Sequence, residues 1–142
     1  MADQKNYKEA IDTWEKIATA WDDGIGAHGN KYWVRLQRPC LERLIDVKPG
    51  CRALDLATGN GIVARWLAGQ GAEVTAADGA QNMVQVAIER TAQDQHAHRI
   101  SFRKLDVTDT ADFAALLEST PLAVRFHCEA RVQWEWLRVA SW

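Results

Sequence analysis

The chain has no excess of basic residues: 17 Lys and Arg stand against 19 Asp and Glu in 142 residues, a formal net charge of −2. A surface that binds polyanions by bulk charge is thereby excluded, and no nucleic acid is expected as a partner. The chain also lacks a long apolar run. No segment approaches the roughly 18 apolar residues of a membrane span, and none follows Met1-Ala2-Asp3-Gln4-Lys5, so no membrane contact and a cytoplasmic location are expected. Cysteine is scarce and odd in number. Cys40, Cys51 and Cys128 are widely spaced with no CxxC pair, which argues against a disulfide framework and a zinc knuckle and for a reducing compartment. His96 and His98 flank Ala97 without further ligands, so no metal is expected. Internal repeats and low-complexity tracts are missing too. What is present, 47% apolar and 25% charged residues, suits one globular domain, small for an enzyme that must hold both a cofactor and a substrate.

Periodicity organises the chain. Tyr7, Ala10, Ile11, Trp14, Ile17, Ala18 and Trp21 recur at helical spacing, so a helix from about Tyr7 to Trp21 should bury its tryptophan face. A glycine-rich break, 22–30, precedes a second helical stretch from about Lys31 to Ile45, bent or restarted at Pro39. Strands then alternate with helices: strand Ala53 to Ala57, helix Gly61 to Ala68, strand Glu73 to Ala77, helix Ala80 to about Ala92, strand Ile100 to Leu105, helix Thr110 to Glu118. Such alternation predicts an α/β fold, a Rossmann-like parallel sheet with helices on both faces, built by right-handed crossovers. The organisation divides into a helical cap at 1–50, a cofactor-binding core at 51–120 and a divergent tail at 121–142. Within the tail Leu122 to Phe126 has strand character, interrupted by Arg125, His127, Glu129 and Arg131.

The strand-to-loop passage Leu54-Asp55-Leu56-Ala57-Thr58-Gly59-Asn60-Gly61 carries the chemistry. Gly59 and Gly61 let a ligand approach the backbone, and the helix behind them offers unpaired N–H groups. Gly59-Asn60-Gly61-Ile62-Val63-Ala64 is also a passable dinucleotide loop, which leaves NAD open. Asp55, four positions before Gly59, suits instead a ligand with a cationic or ammonium centre. Asp78 closes the second strand, where a carboxylate can accept from both ribose hydroxyls. Asp106 follows the third strand. Each also has a plain structural use, Asp55 or Asp106 in a turn and Asp78 as a helix cap. Asp109, before Thr110-Ala111-Asp112, is expected to cap a helix, Met83 suits core packing, and Trp33 with Tyr32 suits either packing or a lid.

With these residues the chain resembles the class I S-adenosylmethionine-dependent methyltransferases of small-molecule type. The resemblance spans roughly residues 7–118 and includes Glu73-Val74-Thr75-Ala76-Ala77-Asp78, Met83, Ala87, Arg90 and Leu105-Asp106-Val107-Thr108-Asp109. It implies S-adenosyl-L-methionine as cofactor and a small-molecule methyl acceptor. In its terms the backbone of Gly59 and Gly61 lines the methionine moiety and Asp55 orients the amino group, directly or through water. Asp78 holds the ribose hydroxyls, Met83 packs on adenine, and Asp106 accepts from the adenine amine with Val107 beside it; Ala57, Asn60 and Gly79 complete the implied cofactor-binding set. Ala57 stands where a first glycine is commoner, and Ala80 where a serine often caps the next helix, a loss of about 1 kcal/mol. No catalytic residue is assigned. After about residue 120 the family pattern of a Phe-Asp strand is not recognisable, so the sheet is expected to be incomplete, leaving the strand of Asp55 an open edge suited to self-association. Two alternatives remain: an inactive truncated or out-of-frame fragment, and a NAD-binding oxidoreductase half-domain.

Overall fold

The computed structural model describes residues 2–119 and 124–127. Helix α1, Ala2–Ile25, is followed by a π-helical turn at Trp33–Gln37 that runs into α2, Arg38–Leu44, with Pro39 in its first turn. Proline suits that position because the first turn of a helix needs no N–H from it. The core is β1 (Arg52–Leu56), α3 (Ile62–Gly69), β2 (Glu73–Asp78), α4 (Gln81–Thr91), a 3₁₀ turn (Ala97–Arg99), β3 (Ile100–Lys104), α5 (Thr110–Ser119) and β4 (Val124–His127).

All neighbouring strands pair in parallel, in the order β3-β2-β1-β4. The alternation of strand and helix is therefore realised as expected. Alternate residues of β1 serve opposite faces. Ala53 joins Val74, Ala76, Val63, Leu67 and the buried Trp33 on one side, while Leu54 joins Ala77, Leu105 and Leu116 of α5 on the other. A third cluster, Ala18, Ala80 and Met83, seats α1 on α4.

Two expectations change. β1 is not an edge, because β4 pairs with it from Ala53 opposite Val124 to Leu56 opposite His127. The self-association expected through an open β1 edge thus loses its basis. Arg125 and His127 obscured β4 in the sequence, yet it is an outer strand among the described residues, and outer strands tolerate charge that inner ones do not. The tryptophan face of α1 is also less buried than its spacing suggests: Trp21 is 42% exposed and meets Trp14 edge to face. Trp33 is core rather than lid, at 5% exposure. Cys128 and the tail beyond it lie outside the described residues. No helix among the described residues is long and apolar enough to cross a membrane.

Candidate cofactor site

The chain leaves the sheet outward from β1 through β2 to β3, then crosses back to β4 on the other side of β1. In open parallel sheets ligands bind at such a reversal, beyond the carboxyl ends of the strands. The glycine loop lies at that place.

Its backbone is held in an uncommon form. Ala57, Gly59 and Gly61 all take left-handed φ values, 57°, 56° and 77°. At Gly61 a side chain would be crowded as well, since a Cβ would stand 3.3 Å from both the Ala87 Cβ and Arg65 Nη1. At Gly59 only the backbone angle demands glycine, because the nearest atom, Trp21 Nε1, is 3.7 Å away. Ala57 must adopt the same region with a side chain present, at a strain of about 1 kcal/mol.

The loop is stitched to the sheet from below. Thr58 donates its hydroxyl to Asp55 Oδ2 at 2.6 Å and its N–H to the Ala77 carbonyl at 3.0 Å. The Gly59 N–H donates to Asp78 Oδ2 at 3.0 Å, and the Ala80 N–H to Asp78 Oδ1 at 3.0 Å. Asp78 therefore joins the loop, the end of β2 and the start of α4, and each of its oxygens keeps acceptor capacity. Burial raises its pKa, while the Ala80 and Gly59 N–H groups work the other way.

Asp55 is the most confined group of the site. It has no exposed area, and its Oδ1 has no hydrogen-bond partner. Burial pushes its carboxyl up to about 7 and the charge of Asp78 adds to this, while the Thr58 hydroxyl and, more weakly, the Ala64 backbone N–H restrain the rise. A buried acceptor without a donor is uncommon in folded proteins and marks either strain or a place for a ligand. Asp106 differs. Thr108 donates its N–H at 2.8 Å and its hydroxyl at 2.6 Å to Asp106 Oδ1. Burial works against its charge, but these bonds and others from Asp109 and Tyr7 hold its carboxyl below the usual range.

On its other side the loop meets α1 and the segment after it. Asn60, 2% exposed, donates to Asp22 Oδ1 at 3.0 Å and to the Gly26 carbonyl at 3.4 Å. Arg65 donates to the Asn60 carbonyl at 2.7 Å and to the Ala27 carbonyl at 3.3 Å. Arg90 Nε and Nη2 both reach Asp22 at 2.8 Å. Burial disfavours the Asp22 charge, yet the bonds from Arg90 and Asn60 hold its carboxyl below its ordinary value.

The structure thus gathers Asp55, Ala57, Gly59, Gly61 and Asp78 at one carboxyl edge, with Gly79, Asp106 and Val107 beside them. Asn60 turns its amide toward Asp22, and Met83, 2% exposed, packs under α1. Asp109 caps α5 as expected, accepting from the Ala111 and Asp112 N–H groups. The serine missing at position 80 is replaced from elsewhere: Glu15 of α1 accepts the Gln81 and Asn82 N–H groups, each at 2.7 Å. Sequence reasoning missed Glu15, Asp22 and Arg65. A signal existed for Arg65, a lone cation inside the apolar run Ile62 to Leu67, which needs a buried partner. Among the described residues no cluster of His, Cys, Asp and Glu could hold a metal.

A cavity of about 440 Å³ opens beside Gly79, lined by Tyr7, Lys8, Ile11, Lys104, Asp106 and Thr108. The orphaned Asp55 Oδ1, the left-handed glycine backbone and the spare acceptors of Asp78 suit a ligand with an ammonium group and vicinal hydroxyls.

Comparison with known proteins places this arrangement. Residues 53–135 match the methyltransferase domain family, a span that continues past residue 120 and takes in β4. Over 69 residues the chain is 46% identical to the ribosomal protein L11 methyltransferase of Desulfitobacterium hafniense, covering 48% of this chain and 22% of that protein. The structure of DhpI in a SAM-HEP complex superposes with a TM-score of 0.55 at 26% identity, over 72% of this chain and 44% of that one. Haemonchus contortus phosphoethanolamine N-methyltransferase 2, in complex with S-adenosyl-L-methionine, does so with a TM-score of 0.51 at 28% identity, over 65% and 22%. The chain therefore spans less than half the length of these relatives. The matched span covers more than half of the chain, which belongs to the methyltransferase domain family, the class I S-adenosylmethionine-dependent methyltransferases.

Proposed function

We propose that this chain binds S-adenosyl-L-methionine over the glycine loop and serves methyl transfer to a small molecule. The observation that carries the reading is the orphaned, fully buried Asp55 Oδ1 beneath a left-handed glycine loop. Asp55 would answer the ammonium of the amino-acid moiety, Asp78 the ribose hydroxyls, and Asp106 with Val107 the adenine edge. The cofactor supplies a methyl group on a sulfonium, open to in-line displacement by a nucleophile. What the protein contributes to such a step is alignment and exclusion of water, which needs few reactive side chains. Gly59 and Gly61 do this with backbone, and Asp78 holds the loop at Gly59 against β2. A small-molecule acceptor finds support in the phosphoethanolamine N-methyltransferase among the similar proteins, although another is named for a ribosomal protein.

Calorimetric titration with S-adenosylhomocysteine and with NAD tests the reading. Binding of the former that weakens at least tenfold in Asp78→Ala supports it. Binding of NAD with no response to S-adenosylhomocysteine rejects it in favour of a nicotinamide half-domain.

A further inference from the structure

Trp21 and Asp22 stand side by side near the end of α1, and each meets one residue of the glycine loop. Asp22 holds Asn60 and is itself held by Arg90. Trp21 turns to Gly59, where its Nε1 lies 3.7 Å from the place a Cβ would take. Apart from the chain neighbours of Gly59, it is the one heavy atom of the described residues within 4 Å of that point. The polar corner of the indole therefore leads, and the space over the loop is otherwise open.

Trp21 is held there from two sides. The clamp fixes the residue next to it, and Trp14 packs edge to face on its ring, with centroids 5.2 Å apart and planes at 82°. Yet the residue is 42% exposed, and its N–H makes no hydrogen bond among the described residues. A tryptophan braced in one position with its polar corner unused is suited to meet a ligand.

The loop has few other donors to spare. The N–H groups of Thr58, Gly59 and Gly61 go to the Ala77 carbonyl, the Asp78 carboxylate and the Thr58 carbonyl. Arg65 and Arg90, the arginines that border the loop, are bonded inside the clamp, while Lys8 and Lys104 line the cavity beside Gly79. An amino-acid moiety that brings its ammonium to Asp55 also brings a carboxylate on the same carbon, and that carboxylate needs a donor close by.

We propose that Trp21 is a binding residue for that carboxylate, its indole N–H donating to it over Gly59. This rests on the cofactor reading above and adds a means of choosing ligands: the site favours adenosine compounds that carry an amino-acid carboxylate over those that lack one.

S-adenosylhomocysteine and methylthioadenosine share the adenosine and the sulfur and differ at the amino-acid end, so they separate the carboxylate from the rest. Trp21→Phe keeps an aromatic ring against Trp14 and removes the N–H. It should bind S-adenosylhomocysteine about tenfold more weakly and methylthioadenosine as wild type does, because only the first loses a hydrogen bond to a charged group. Equal weakening of both makes Trp21 a packing wall, and no weakening of either leaves the carboxylate to other donors; each result overturns the proposal. The indole N–H signals in NMR give a second readout. The Trp21 signal, identified by its absence from Trp21→Phe, should move downfield when S-adenosylhomocysteine is added to wild type. A Trp21 signal that stays in place while the Gly59 amide shifts overturns the proposal. If wild type binds neither ligand, the cofactor reading falls and the proposal with it. Binding of S-adenosylhomocysteine that is equal in wild type and variant leaves that reading standing and strikes the proposal alone.

Discussion

The two sides of the glycine loop contrast in how fully their polar groups are used. On the α1 side Asn60, Asp22, Arg65 and Arg90 satisfy one another and nearby carbonyls, and Asn60, Asp22 and Arg65 are buried. Toward the carboxyl ends of the strands Asp55 keeps a buried oxygen with no hydrogen-bond partner, and Asp78 holds a raised pKa. The saturated side makes structure. The unsaturated side stores an unfavourable term in the free protein that a ligand with the right donors can remove, which is how binding sites come to violate the rules that cores obey.

The contrast can be broken from either side. The largest effect is expected at Arg65→Ala, which strips the Asn60 and Ala27 carbonyls of a buried donor and should lower stability by about 3 kcal/mol in urea unfolding. Asp55→Asn works in the opposite direction. Its carboxyl, raised to about 7 in the folded chain, takes up a proton more readily there than when unfolded. Wild-type stability therefore falls as pH rises from about 4 to about 7 and then levels off, by a few kcal/mol in all. The amide removes this loss, so Asp55→Asn should be the more stable protein at pH 8 by about 2 kcal/mol and show a flatter profile of urea midpoint against pH. Asp22→Ala leaves the Asn60 amide without its carboxylate and should cost about 2 kcal/mol by the same assay. The smallest effect is Ala57→Gly. It relieves the left-handed strain at φ 57° but gains unfolded-chain entropy, for a net stabilisation of about 0.5 kcal/mol and a small rise in Tm.

Much of this was legible in the sequence, for physical reasons that differ by region. The strand and helix alternation from Ala53 onward was clear because apolar runs of strand length alternate with amphipathic stretches. The aspartates stood out because a charge in or at the end of an apolar strand needs a use. β4 was legible only in part: Leu122 to Phe126 has strand character, but Arg125 and His127 break the apolar pattern, and its place beside β1 is set by backbone pairing. The clamp was hidden for another reason. Asp22, Asn60, Arg65 and Arg90 are joined across intervals of 38 and 68 residues, and no periodicity links residues that only the crossover of the chain brings together. Glu15 capping α4 is of the same kind: the sequence shows the missing serine at Ala80, while its substitute comes from another helix.

The central claim is that the unsaturated side of the loop is where the cofactor binds. Backbone amide NMR of the chain, titrated with S-adenosylhomocysteine, tests it residue by residue. The amides of Gly59, Gly79 and Val107 should shift strongly, while those of Thr91 and Ala27, both bonded by Arg65 within the clamp, should hold nearly still. Shifts confined to the clamp, or to the opposite end of the strands around Arg52 and Arg99, would contradict the account.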